Sequence, residues 1–331
     1  VVVVNPKRGL AAEKETALAE KLAKYKASLS QEELEKLVAD TKHLKEYQDA
    51  EETEEALKTI PLLKREDISR ESAKIYNTEK HVDDTLVLHH EIDTNGIGYL
   101  ELLFDMKYVP EELVPYMGIL KSVLGYVDTE HYDYGALFNE INARSGGILF
   151  GISVFTDSKD NQKFTPMAGI KAKALYKDIP FVFEMIKEIL KTSKLEDEKR
   201  LYEIIAKMKS RLQMSLVSSG HTTAAMRALS YFSAGSCFQE KISGVDFYQL
   251  INDIEENFEQ RKADVIAKLK ELMGCVFRAE NLMVSYTSEE KGYEGLEKEI
   301  KEFKEILYTG EKKETASYSS CVVKNEGFKT A

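Results

Sequence analysis

Leu86-Val-Leu-His-His-Glu-Ile-Asp-Thr-Asn-Gly-Ile-Gly-Tyr-Leu-Glu-Leu-Leu-Phe-Asp-Met106 is the stretch of sequence that decides the fold. Its two apolar halves alternate with a period of two residues, and Asn95-Gly96 lies between them, so we predict a β-hairpin. Further along, Pro110 stands at the first position of a helix that ends before Gly125. A second short helix stops at Gly146-Gly147. A hairpin followed by two helices and a strand is typical of the start of an α+β domain.

The rest of the chain continues to alternate between strands and helices. Strands are predicted at 147–157, at 163–176 and at Asn281–Tyr286. Helices are predicted at 179–192, 196–217, 222–233, 245–257, 259–273 and 289–307. This order predicts an α+β fold with an antiparallel or mixed sheet and helices on one face. The alternation over 86–106 leaves the other face polar, which suits a sheet open to a solvent-filled chamber.

Two long helices with few apolar residues precede that domain. The first covers 11–29, and the second begins after a capping box formed by Ser30 and Glu33. A tight turn between them predicts an antiparallel helical hairpin. Most other positions are Glu, Lys, Asp and Ala, which is typical of a solvated surface. We expect a leucine seam to hold the two helices together as a hinge, formed by Leu18, Leu22, Leu34, Leu37 and Leu44.

The sequence divides into four segments. Residues 1–5 are expected to be the terminal strand of a preceding domain, and residues 6–69 the helical hairpin with a linker. Residues 70–309 are expected to form the α+β domain, and residues 310–331 a linker and the start of a following domain. The chain does not begin with Met, and we expect it to be a piece of a longer protein.

Composition and charge restrict the class of protein. The net charge is −11 and the pI about 5.3, which disfavours nucleic acid as a main partner, because phosphate binding requires clustered Lys and Arg. No apolar run approaches the roughly 20 residues of a membrane span. We expect a cytoplasmic protein, with an organellar or exported parent left open. Cys237, Cys275 and Cys321 form no C-x-x-C pair, so we expect free thiols in a reducing compartment.

The sequence assigns no catalytic, cofactor-binding or metal-binding residue. His89-His90-Glu91 is the most suggestive cluster, but adjacent strand residues point to opposite faces. His89 and Glu91 alone fall short of the three protein ligands of a catalytic zinc. The chain contains no H-E-x-x-H, H-x-x-E-H, G-x-S-x-G or Walker A motif. We therefore expect this chain alone to bind no catalytic zinc and to cleave no peptide.

Several short motifs resemble the presequence-protease branch of the insulinase, or pitrilysin, family of zinc metallopeptidases. Motifs similar to the linker hairpin of that family are Pro6–Glu15, Leu44–Gln48, Ile60–Leu63 and Asp67-Ile68. Motifs similar to the associated domain that follows the hairpin are Asn95–Leu100, Phe104–Pro110, Tyr116, Ser145–Gly147, Gly220–Ser233 and Gly244–Leu250. Asn325–Phe328 is similar to the first strand of the fourth domain. The resemblance covers nearly the whole chain.

The resemblance implies a pitrilysin-like architecture, in which four related α+β domains form two halves that close around unfolded peptides. The family's H-x-x-E-H zinc motif lies in the first domain, and the fourth domain contributes an Arg and a Tyr to the active site. This chain matches neither region, so none of those residues is carried over.

The implied role is therefore that of a non-catalytic segment, which provides the hinge and part of the peptide-chamber wall. Its implied partners are the remaining domains of the protease and unfolded peptides, and the zinc is expected in the first domain. The alternative is a free-standing binding or assembly module on the same fold. An H-x-x-E-H region upstream in the reading frame would favour the first interpretation, and a native start codon near Val1 the second.

Overall fold

The computed structural model describes residues 7–72, 74, 76–309, 314–324 and 327. Residues Val1–Ala73 and Lys74–Ala331 form two compact units. The strand expected at 1–5 lies outside the described residues, as does most of the strand motif at 325–328.

The first unit is helical. Its helices are α1 (Leu10–Ser28), α2 (Gln31–Asp49) and α3 (Glu54–Thr59). Helix α2 begins at the predicted capping box: the Ser30 hydroxyl accepts a hydrogen bond from the backbone N–H of Glu33 at 3.2 Å, and the Glu33 carboxylate accepts one from the N–H of Ser30 at 2.8 Å. Helix α1 lies within one residue of the predicted bounds, and α2 begins where predicted.

A six-stranded sheet organises the second unit. Its strands are β1 (Thr78–Val82), β2 (Thr85–Glu91), β3 (Ile97–Asp105), β4 (Ile148–Thr156), β5 (Phe164–Leu175) and β6 (Leu282–Ser288). Their order across the sheet is β1-β2-β6-β3-β5-β4. Strands β2 and β6 are parallel, and the other neighbouring pairs are antiparallel. The predicted α+β fold with a mixed sheet is confirmed.

The predicted hairpin between the two halves of 86–106 is wrong. Strand β6 lies between β2 and β3 and pairs with both of them. Asn95 and Gly96 do adopt left-handed φ angles of 53° and 82°, but they end a longer connection, 92–96, that passes the end of β6. The hairpin of this region is β1–β2, which turns at Asp83-Asp84. The alternation thus identified the two strands but not their neighbours.

Helices cover one face of the sheet and complete its core. They are α4 (Val114–Val123), α5 (Tyr134–Arg144), α6 (Ile179–Thr192), α7 (Glu198–Ser218), α8 (Gly220–Ser230), α9 (Ala234–Ser243), α10 (Val245–Glu256), α11 (Phe258–Val276), α12 (Glu290–Tyr293) and α13 (Leu296–Lys304). Buried rings link the layers: Phe303 of α13 lies 6.4 Å from Phe104 of β3 and 5.8 Å from Phe183 of α6 between centroids. The single helix predicted at 289–307 is divided in two near Gly295, whose φ is 83°.

A segment without regular secondary structure, residues 314–324, packs on the second unit. The Tyr318 hydroxyl donates to the carbonyl of Val109 at 2.6 Å, and its ring packs against Phe164 and Phe238. The backbone N–H of Cys321 donates to the carbonyl of Ser230 at 2.9 Å. The described part of the predicted linker therefore belongs to the surface of this unit.

Candidate functional site

The face of the sheet opposite the helices carries the polar surface that the alternation predicted. Glu101 and Lys171 are partners in the β3–β5 register, and their side chains form an ion pair at 3.1 Å. Leu102, the next residue of β3, is fully buried on the helix-covered face. The open face also exposes large apolar side chains, namely Tyr99, Leu149, Phe155 and Leu175. A surface of this kind can contact an extended polypeptide through both polar and apolar groups.

His89 and His90 point to opposite faces of β2, as predicted. His89 is buried on the helix side, where its Nε2 lies 3.1 Å from the Ser288 hydroxyl and its ring lies 4.8 Å from that of Tyr293. Burial, followed by the positive charge of Lys80, lowers the pKa of His89. A neutral imidazole that fills a core position explains this residue without a ligand.

His90 is held on the other face of the strand. Its Nδ1 lies 2.9 Å from the carbonyl oxygen of Tyr76, and its Nε2 lies 3.2 Å from the Ser285 hydroxyl. Glu91 is exposed. Within the described ranges, no group of three or more His, Cys, Asp or Glu side chains is placed to hold a metal ion.

A polar cluster joins the loop before α5 to helix α6. The Nδ1 of His131 lies 3.0 Å from the carboxylate of Glu188. Partial burial raises the pKa of Glu188, but hydrogen bonds from Thr129, His131 and Thr192 outweigh it and lower this pKa to about 2. The same carboxylate raises the pKa of His131. This cluster fastens a loop, and neither group lines a cleft beside a nucleophile.

The five leucines of the predicted hinge seam are not buried within the first unit. Leu18, Leu22, Leu37 and Leu44 expose 55%, 56%, 47% and 54% of their surface, and Leu34 is half-buried. Neither α1 nor α2, both described throughout, has a buried residue. The role of these leucines in holding the two helices together as a hinge therefore stays a prediction. One leucine every three or four residues, flanked by Ala, Glu and Lys, offers too little apolar area to enclose itself.

The expectation of three free thiols is wrong. Cys237 of α9 and Cys321 of the 314–324 segment form a disulfide, with their Cα atoms 5.4 Å apart. Cys275 is buried in α11. The bonded pair is separated by 84 residues, so no local spacing could have indicated it.

Sequence reasoning also missed a groove beside β4, which we call the β4 groove. It has a volume of about 660 Å³ and lies between this strand and helices α4, α5 and α7. Four cationic side chains line it: Lys121, Arg200, Lys207 and Arg211. The only local signal was the four-residue spacing of Lys207 and Arg211, which places them on one face of a helix.

Three comparisons relate this chain to known proteins. The family of associated domains of M16 peptidases, subfamily C, matches residues 4–254. Protein HypA of Clostridium perfringens is 36% identical over 301 residues, which cover 91% of this chain and 31% of that relative. Presequence protease 1, chloroplastic/mitochondrial, of Arabidopsis thaliana is 24% identical over 289 residues, which cover 86% of this chain and 26% of that relative. The chain thus spans less than a third of the curated relatives it matches.

Structural similarity is weaker. A crystal structure of a peptidase M16 inactive domain from Pseudomonas fluorescens shares 12% identity and a TM-score of 0.46, over 71% of this chain and 51% of that one. In the part of the chain that the structure describes, no helix is long and apolar enough to cross a membrane.

Proposed function

This chain belongs to the family of associated domains of M16 peptidases, subfamily C, and from that premise we propose that it is a non-catalytic segment of a zinc-dependent metalloendopeptidase that degrades unfolded peptides. In this proposal, the second unit forms part of the wall of the peptide chamber, and α1 and α2 form the hinge. Its partners are the remaining domains of the protease and unfolded peptides. The family relationship extends to proteins named presequence proteases.

The open sheet face is the single observation that carries the wall role. A sheet in a packed domain loses one face to helices, and a second face that stays polar needs water or a ligand beside it. Here that face combines the Glu101–Lys171 ion pair with the exposed rings of Tyr99 and Phe155. Unfolded peptides offer both charged and apolar side chains, so this surface suits them without selecting a single sequence.

The hinge role rests on the half-exposed leucines of α1 and α2. An apolar stripe that its own unit does not enclose is a surface on which another part of a larger protein can pack. In this proposal, Leu18, Leu22 and Leu37 contact other domains of the protease rather than one another. The stripe would then couple the helices to the movement of the two halves.

Zinc is expected in the parent's first domain and not in this chain. The chain contains no H-x-x-E-H or H-E-x-x-H sequence, and a hydrolytic zinc needs three protein ligands with an open position for water. The location of the protein also stays a prediction. We expect the cytoplasm, whereas several relatives bear mitochondrial or chloroplast names.

The experiment compares this chain with the full-length protein that carries it. Both are purified and incubated with an unstructured peptide, and their zinc is measured by atomic emission. We expect chelator-sensitive cleavage and stoichiometric zinc only in the full-length protein. Chelator-sensitive cleavage that co-purifies with this chain alone would contradict the proposal, as would a full-length protein that begins near Val1 and has no zinc.

A further inference from the structure

Strand β4 ends the sheet and borders the β4 groove. The strand pairs with β5 along one edge, from Ile148 opposite Ala172 to Thr156 opposite Phe164, and it is the last strand in the sheet order. The backbone N–H and C=O groups of a terminal strand form a template on which a further strand can add. The groove beside this edge has a volume of about 660 Å³, so there is room next to β4 for an extended chain.

The side chains along β4 suit an added strand. Leu149 is exposed, and Phe150 and Ile152 are half-buried. At Gly151, a Cβ atom would meet no atom within 4 Å, so the middle of the strand is open. Phe138 of α5 is 55% exposed on the opposite wall. Apolar positions on both walls provide contacts for alternate side chains of a bound strand.

The groove is cationic although the chain is acidic. Among the described residues, Lys121, Lys207 and Arg211 form no ion pair or side-chain hydrogen bond, whereas Arg200 is paired with Glu203 at 2.9 Å. Three cations therefore remain uncompensated in one groove, in a chain whose net charge is −11. These cations complement an anionic ligand.

Lys121 is the cation that most needs a partner. It lies on α4 and is half-buried, and this burial lowers the pKa of its ammonium group. A partly buried charge without a counter-ion is costly, and a carboxylate placed beside it restores the lost stabilisation.

We propose that the β4 groove binds an extended peptide segment with acidic side chains, which adds as a strand to β4 and places its carboxylates beside Lys121, Lys207 and Arg211. The inference deepens the proposed function, because it names a class of peptide that the chamber wall holds. It does not require cleavage. The free strand edge favours a peptide over a nucleic acid, since backbone pairing needs alternating N–H donors and C=O acceptors.

The test measures peptide binding to this chain by fluorescence anisotropy. The probes are a short unstructured peptide that alternates Glu with Val or Thr, the same peptide with Lys in place of Glu, and the acidic peptide N-methylated at alternate residues. We expect binding of the acidic peptide, with affinity about tenfold lower for each of the other two, because one lacks the charges and the other lacks backbone donors. Hydrogen exchange should slow at the β4 amides when the acidic peptide is bound.

Charge-reversal variants test whether the groove residues, rather than the net charge of the chain, determine the affinity. Lys207 and Arg211 are exposed, so the double variant Lys207→Glu and Arg211→Glu should fold normally and lose about tenfold or more in affinity. The control is Lys177→Glu with Lys301→Glu, two exposed lysines outside the groove with the same change of net charge. We expect that control to bind within about twofold of the unchanged chain at physiological salt, because screening weakens distant charges.

Four outcomes would overturn the inference. These are equal binding of the three peptides, equal loss in the two double variants, displacement of the acidic peptide by single-stranded DNA that binds more tightly, and a dimer that the acidic peptide does not dissociate. Because binding is measured on this chain without catalysis, a failure here leaves the cleavage test of the full-length protein unaffected. A failure of that cleavage test likewise leaves the binding result intact.

Discussion

Nη1 of Arg227 in α8 lies 3.1 Å from Oε1 of Glu240 in α9, and both side chains are buried. Asp246 of α10 completes the cluster at 3.0 Å from the same guanidinium nitrogen. Glu240 also accepts a hydrogen bond from the backbone N–H of Val245 at 2.7 Å, at the start of α10. One carboxylate therefore joins α8 and α10 to α9, the helix that packs against β4 and β5.

Replacing Glu240 with Ala should destabilise the second unit by about 2–4 kcal/mol. The substitution leaves a buried guanidinium with one fewer counter-ion and removes the acceptor at the start of α10. Urea unfolding followed by circular dichroism measures the loss. The matched control is Glu302→Ala, a half-buried residue of two surface ion pairs whose replacement should cost less than about 1 kcal/mol. Equal losses of unfolding free energy in the two variants would show that the Arg227–Glu240–Asp246 cluster does not stabilise this unit more than a surface ion pair does.

Replacing Gly118 with Ala should destabilise the packing of α4 against α9 and α10. A Cβ atom there would lie 2.6 Å from the carbonyl oxygen of Ile242 and 2.6 Å from a ring carbon of Phe247. We expect a net loss of about 1–3 kcal/mol, although Ala favours a helix over Gly by about 1 kcal/mol. The control is Gly220→Ala at the start of α8, where a Cβ would meet no atom within 4 Å. Thermal unfolding should show a lower midpoint for the first variant and an unchanged or higher midpoint for the second.

The Glu188–His131 pair should make stability depend on pH. Because the folded-state pKa of Glu188 is lowered to about 2, its contribution is present above the ordinary carboxyl value and is lost as the pH falls toward 2. The pKa of His131 is raised, so its contribution is present in acid and is lost as the pH rises through that raised value. Glu188→Gln should remove both dependences and lower stability by about 1–3 kcal/mol near pH 5. The free energy of unfolding is measured for both proteins at pH values from about 2 to 8. The same pH dependence in both proteins would contradict this assignment.

The hinge proposal predicts a functional effect with little effect on stability. Leu18→Asp with Leu22→Asp places charges at half-exposed positions, so the second unit should keep its hydrogen-exchange protection. In the full-length protein, we expect slower turnover of an unstructured peptide with zinc retained, because closure and chemistry are separable steps. Val38→Asp is the control, since Val38 is similarly exposed on α2 but lies outside the leucine set. Unchanged turnover in the double variant would argue against a hinge at this stripe.

The sequence predicted individual elements better than their neighbours. Helix α6 was predicted at its observed bounds of 179–192, because Pro180 and a continuous apolar face are local signals. The β2–β3 hairpin was wrong, because β6 enters the sheet from almost 200 residues further along the chain, as the pairing of Leu86 with Met283 shows. No local turn signal reports such an insertion.

In the candidate sites too, features set by the local sequence pattern were predictable, and features set by contacts between distant residues were not. The polar face of the sheet was predictable, since alternation within β3 determines which side chains share a face. The disulfide between Cys237 and Cys321 and the grouping of Lys121 with Lys207 and Arg211 were not, because only the packing of α4, α7 and α9 brings these residues near one another. The leucine stripe of α1 and α2 stays a prediction, because a local pattern cannot indicate which surface covers it.

The most direct test of the chamber-wall role is photocrosslinking in the full-length protein. A benzophenone amino acid replaces Tyr99 on the open sheet face or, as control, Tyr202 on α7, whose exposed fractions are 44% and 40%. Zinc is removed by chelation so that a labelled unstructured peptide is not cleaved, and adducts are measured by gel fluorescence. Our account predicts a strong adduct at position 99 that unlabelled peptide competes away, and little at position 202. Equal labelling at the two positions, or none at position 99, would contradict it.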